Sequence, residues 1–140
     1  MINWIPFQEE HLQIFECNEP QLAKRLDMNI PYNHVTLSLM DIKKNRIVAV
    51  SGLNYTRPGV GELWQFPGVH AKKYGVQLVK AIKEIVPHLF TQFNLHRIHM
   101  TTEVHWKEGP KWAKLLGFEL EGTLKDFGPN GDEHIYARVK

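Results

Sequence analysis

The chain has 140 residues, 43% hydrophobic and 23% charged, which fits one domain over 1–140 with a real apolar core and excludes a disordered tail or a collagen-like chain. Lys and Arg number 17 against 15 Asp and Glu, a formal net charge of +2, so the basic excess of a nucleic-acid clamp is missing and nucleic acid is not an expected partner. A lone Cys17 allows no internal disulfide and suits a reducing compartment, and neither a leader-like start nor a run of about 18 apolar residues occurs, so the expected location is cytoplasmic with no membrane partner.

Asn3 to Phe7 reads as a short strand ending near Pro6, and Gln8 to Glu16, with Leu12, Ile14 and Phe15, as a short helix. Pro20 opens a second helix over Gln21 to Met28, which Pro31 stops. Val35 to Asp41 alternates Val35, Leu37 and Leu39 against Thr36, Ser38 and Met40, and Arg46 to Tyr55 follows across a basic tip, giving a β-hairpin. Arg57-Pro58-Gly59 marks a turn before a strand over Gly61 to Phe66, which Pro67-Gly68 terminates. From Lys72 the period becomes helical, with Tyr74, Leu78, Val79, Ile82, Ile85 and Val86 on one stripe; Pro87 either ends this helix or lets it restart toward Asn94. Arg97 to Val104 is a strand, Gly109-Pro110 opens a short helix that Gly117 caps, and Phe118 to Lys125 and Glu133 to Val139 form a hairpin around Asn130-Gly131. This order predicts an α+β fold, with helices on the faces of a sheet. The strand, long helix and strand from Glu62 to Arg97 form its one parallel crossover, and strands joined in this way can splay into a cleft.

The element order, the stretch His70-Ala71-Lys72-Lys73-Tyr74-Gly75 and the segment WAKLLGFELEG from Trp112 to Gly122 resemble the GCN5-related N-acetyltransferase (GNAT) superfamily, over Asn3 to Lys140. The resemblance implies a central mixed, mostly antiparallel sheet flanked by helices, and acetyl-CoA as cosubstrate with no metal. In that family a loop of pattern Arg/Gln-x-x-Gly-x-Gly/Ala opens the long helix and meets the coenzyme's pyrophosphate. Here Gly75 matches the last small residue, His70 stands at the Arg/Gln position and Lys73 at the first Gly, while Lys72 and Lys73 bring charge for phosphates. The coenzyme-binding set so implied is Phe66, Val69, His70, Lys72, Lys73, Tyr74 and Gly75. Many members carry an Asn and a Tyr, the latter an acid for the departing thiolate, where this chain has Trp106 and Ala113; the proton would then come from elsewhere or from water. The chain also looks like the acetyltransferase-fold proteins of T7-like phages, some packaged inside the virion, which implies host or virion proteins as partners and the host cytoplasm or the virion as location.

Transfer to an amine needs a base for the ammonium proton. Glu62 is the catalytic candidate, on the strand before the loop and flanked by Leu63 and Trp64, whose apolar bulk would raise its pKa; the plain alternative is a solvated strand-start Glu. His105, after the Arg97 to Val104 strand, is a second catalytic candidate, and Glu103 and Trp106 are substrate-side candidates. His96, His99 and His105 give no metal-ligand pattern. The expected activity is acetyl-CoA-dependent N-acetylation of an amine on a small molecule or protein. The alternative is a phage virion or host-interaction protein that keeps the fold without catalysis. In the family C-terminal strands often pair between subunits, so a homodimer is among the expectations.

Overall fold

In the computed structural model, residues 2–8, 10–16 and 34–140 are described. The expected helix over Gln21 to Met28, and Cys17, lie outside them. Seven strands are hydrogen-bonded in the order β1-β2-β3-β4-β5-β7-β6: β1 Ile2–Pro6, β2 His34–Asp41, β3 Arg46–Arg57, β4 Val60–Pro67, β5 Arg97–Glu103, β6 Glu119–Gly128 and β7 Gly131–Val139. β4 and β5 pair in parallel, whereas β1/β2, β2/β3, β5/β7 and β6/β7 are antiparallel. The described helices are α1 His11–Ile14, α2 Gly75–Gln92 and α3 Gly109–Leu115, with a 3-10 turn over Ala71–Tyr74 leading into α2. This is the mixed, mostly antiparallel α+β sheet that the sequence predicts. Among the described residues no helix is long and apolar enough to cross a membrane.

The chain divides into two compact units, residues 1–54 with 64–81, and residues 55–63 with 82–140. In the first unit Leu39, Ile47, Val48, Ala49, Val50 and Leu78 form the core. The alternation expected of β2 does not hold, because Ser38 and Leu39 are both fully buried. His11 supplies the reason: its Nδ1 meets Ser38 Oγ at 2.8 Å, so Ser38 is covered and its hydroxyl is satisfied. Trp4 Nε1 donates to Ala81 O at 3.2 Å, tying β1 to α2.

In the second unit Ile82, Val86, Leu89 and Phe90 of α2 are buried, as are Ile98, Ala113, Leu116, Phe118 and Tyr136. Alternation on β5 sends Ile98 to this core and Arg97 and His99 to the opposite face. α2 continues through Pro87. The buried stripe on both sides of the proline outweighs one lost backbone hydrogen bond. α3 ends as expected: Gly117 has φ +81°, with Phe118 N–H donating to Ala113 O at 2.8 Å and Gly117 N–H to Lys114 O at 3.1 Å. Arg138 adds a donor to Leu116 O at 3.1 Å and lies 5.8 Å from the Phe90 ring centre.

Candidate active site

The parallel ladder is short. Its pairs are Val60 with Arg97, Gly61 with Ile98 and Glu62 with His99, so Val60, Arg97, Glu62 and His99 share one face. Glu62 Oε2 stands 3.7 Å from His99 Nε2, with side-chain exposures of 38% and 15%. The carboxylate is therefore more open to water than its apolar flanks in the sequence suggest. His99 Nδ1 is buried with no hydrogen-bond partner. A proton there would find no acceptor, so the tautomer that carries its proton on Nε2, on the side of Glu62, is the one that leaves no buried donor unpaired. His99 was not a candidate from the sequence, because only the register of a parallel pair reveals it.

The loop between β4 and α2 belongs to the first unit. Phe66 is half-buried, with its ring centre 5.5 Å from that of Trp64. Gly68 N–H donates to Val48 O at 2.8 Å and Val69 N–H to Glu16 O at 2.8 Å. A Cβ on Gly68 would come within 2.9 Å of Phe15 Cε1 and 3.0 Å of Val48 O, so the loop's seat depends on a glycine that the motif does not mark. His70 Nε2 meets Glu16 Oε2 at 3.2 Å. Ala71 N–H donates to Gly68 O at 3.1 Å and Lys73 N–H to His70 O at 3.0 Å, while Gly75 N–H donates to Lys72 O. Those three amides are thus used inside the turn.

Lys72 and Lys73 are exposed, and a Cβ on Gly75 would meet nothing within 4 Å. These residues fit a polyphosphate through ammonium groups and open space. The Tyr74 phenol is turned inward, where it donates to Asp41 Oδ2 at 2.6 Å. That bond holds the Asp41 carboxyl below the usual 3.8 and, with burial, pushes the phenol above its usual 10.0. Arg46 beside the phenol acts in the opposite sense.

Glu103, on the Glu62 and His99 face of β5, accepts from Asn130 Nδ2 at 2.8 Å. It lies four residues beyond His99, a separation of about 13 Å along a strand. Trp106 N–H donates to Glu103 O at 3.0 Å, closing a turn that leaves His105 exposed. Trp106 is 43% exposed and its ring centre is 6.4 Å from that of Trp112. Ala113, at the position of the family's acid, is 1% exposed in the second unit's core. Within this unit, then, Glu62 and His99 are adjacent, and Glu103, His105 and Trp106 form a separate group around the end of β5. Among the described residues no group of three His, Cys, Asp or Glu side chains could hold a metal.

The fold, crossover included, has solved counterparts. An acetyltransferase (GNAT family) from Bacillus anthracis matches with a TM-score of 0.75 over 99% of this chain and 94% of that one, at 16% identity. The spermidine/spermine N-acetyltransferase SpeG from Vibrio cholerae matches with a TM-score of 0.77 over 99% and 95% of the two chains, also at 16% identity. The ribosomal alpha-N-protein acetyltransferase RimL, in complex with coenzyme A, gives 0.76 over 99% and 93% at 16% identity. No family model matches the sequence, and no curated protein matches it. The chain has the GNAT fold; at these identities the likeness is one of fold.

Proposed function

We propose that the chain is an acetyl-CoA-dependent N-acetyltransferase in which an amine attacks the acetyl carbonyl directly. The observation that carries this reading is the half-buried Glu62 carboxylate, open to water beside His99 at the end of a parallel ladder, on the fold shared with RimL and SpeG. Acetyl-CoA would supply the thioester. On this chain Lys72 and Lys73 would hold its phosphates, with Phe66, Val69, His70, Gly75 and the Tyr74 backbone around them. Glu62 Oε2 would take the ammonium proton, and the His99 Nε2–H dipole, 3.7 Å away, would favour one orientation of that carboxylate. As the C–N bond forms the thioester C–S bond would break, and the coenzyme A thiolate would leave and take its proton from water, since Ala113 has none to give. Glu103, His105 and Trp106 would line the acceptor side.

A second reading keeps the fold without catalysis, as a phage virion or host-interaction protein. The three loop amides donated within their own turn, and the buried Ala113, favour its loss of catalysis. Calorimetry separates the two. Acetyl-CoA titrated into the wild type should bind at micromolar concentration, and Gly75→Glu should abolish binding while leaving the fold intact, since that position opens onto free space. A folded wild type that takes no acetyl-CoA at millimolar concentration overturns the transferase reading.

A further inference from the structure

The turn between β3 and β4, in the second unit, builds a site of its own. Pro58 sets φ ahead of Gly59, whose φ of +77° suits the third position of a type II turn. Thr56 Oγ1 donates to Val60 O at 3.5 Å across it. Arg57 and Val60 thus flank the turn, and Val60 is paired with Arg97. Thr56, Arg57, Val60, Arg97 and His99 line an open cavity of about 430 Å³, with two guanidiniums and no carboxylate among them. That volume suits a small molecule.

The two arginines differ. Arg97 is gripped by both oxygens of Glu121, with Nη1 2.9 Å from Oε2 and Nη2 2.5 Å from Oε1. Its charge is compensated. Arg57 is exposed and has no side-chain partner among the described residues. One same-face step along β4 from Val60, about 7 Å, lies Glu62.

We infer that this cavity receives an anionic group, carboxylate or phosphate, carried by the acceptor amine, with Arg57 as its counter-ion. The substrate class is then an amine that also bears an anion: the ammonium meets Glu62 and the anion meets Arg57. A polyamine would set cation against cation at Arg57. The inference rests on the transferase reading for the acetyl step, but the anion site can be tested without it.

Amide-shift NMR titrations of the full chain would compare phosphoethanolamine with ethanolamine, and β-alanine with β-alaninamide. At least one anion-bearing amine should move the amides of Arg57, Val60 and Arg97 and bind about tenfold or more tighter than its mate without the anion. Arg57→Gln should erase that preference and leave acetyl-CoA affinity unchanged. The two pairs tell a phosphate site from a carboxylate site. Equal binding within both pairs, or a preference that survives Arg57→Gln, overturns the inference. Acetyl transfer to the same four amines is read beside this: anionic-amine binding without turnover upholds the site and fails the transferase reading. Preferred turnover of the two amines without an anion upholds the transferase and overturns the anion site.

Discussion

Asp41 in the first unit and Glu62 in the second are both carboxylates set beside a ring, and their surroundings are opposite. Asp41 is 5% exposed and accepts the Tyr74 hydroxyl at 2.6 Å, with a further N–H from Lys44 at 3.4 Å. Glu62 is 38% exposed, and its ring partner stands 3.7 Å away, beyond hydrogen-bond length. A charge taken out of water must have its lone pairs filled by the protein, and Asp41 has this. Glu62 keeps lone pairs for water or an incoming ammonium. Which carboxylate can do chemistry is therefore decided by what already occupies its oxygens.

The contrast is tested hardest at Glu62. Glu62→Gln keeps volume and removes the proton acceptor, so kcat should fall about 100-fold or more, with acetyl-CoA affinity held. A loss of less than about threefold would make Glu62 an ordinary solvated strand residue. His99 sharpens the same point with a smaller effect. His99→Leu should lower kcat about tenfold, while His99→Gln, whose amide N–H can replace Nε2–H, should stay within about threefold of wild type. Equal losses in both variants would make His99 a packing residue.

Why Glu62 could be found in the sequence and His99 could not follows from where the information sits. The element order was legible because apolar spacing is local: Ile82, Val86 and Phe90 recur at one-turn intervals, and Gly117 and Asn130-Gly131 mark ends with a stereochemical cause. Glu62 and Val69 to Gly75 stand out by their place in that order. His99 becomes visible only through the register that sets it against Glu62. The inward turn of Tyr74 needs its Asp41 partner on another strand. Gly68 looks like a strand stop and is instead a point of close approach to Phe15 and Val48. Likewise the burial of Ser38 depends on His11, which no alternation pattern on β2 announces.

The next largest effect belongs to the buried partner in the comparison. Tyr74→Phe deletes the donor that holds the Asp41 carboxyl down, and thermal melting at neutral pH should fall by about 5 to 10 °C. The pH dependence has a definite sign at both ends. The Asp41 carboxyl lies below its usual 3.8 in the fold, so its contribution is full above that value and is lost as pH drops through the folded value. The Tyr74 phenol lies above its usual 10.0, so its contribution is full below that value and is lost as pH rises through the folded one. The gap between wild type and Tyr74→Phe should therefore be a plateau that narrows at both extremes. A gap independent of pH would mean that the phenol contributes by packing alone.

The smallest effect concerns Glu121, a second exposed carboxylate on the Glu62 side of the comparison. It grips Arg97 through two hydrogen bonds, yet its side chain is 42% exposed and that of Arg97 26%. Hydration competes with such a pair and salt screens it, so Glu121→Gln should cost about 0.5 kcal/mol in urea denaturation at neutral pH. Hydrogen bonding to Arg97 sets the Glu121 carboxyl below its usual 4.5. Its share of stability is thus present above that value and lost as pH falls through the folded one. Raising the salt to about 1 M should shrink the difference further, because screening then acts over about 3 Å. A cost above about 2 kcal/mol that survives high salt would show Glu121 behaving as a buried charge does. Exposure would then no longer separate the carboxylates of the second unit from Asp41, and the availability of Glu62 for proton transfer would need another cause.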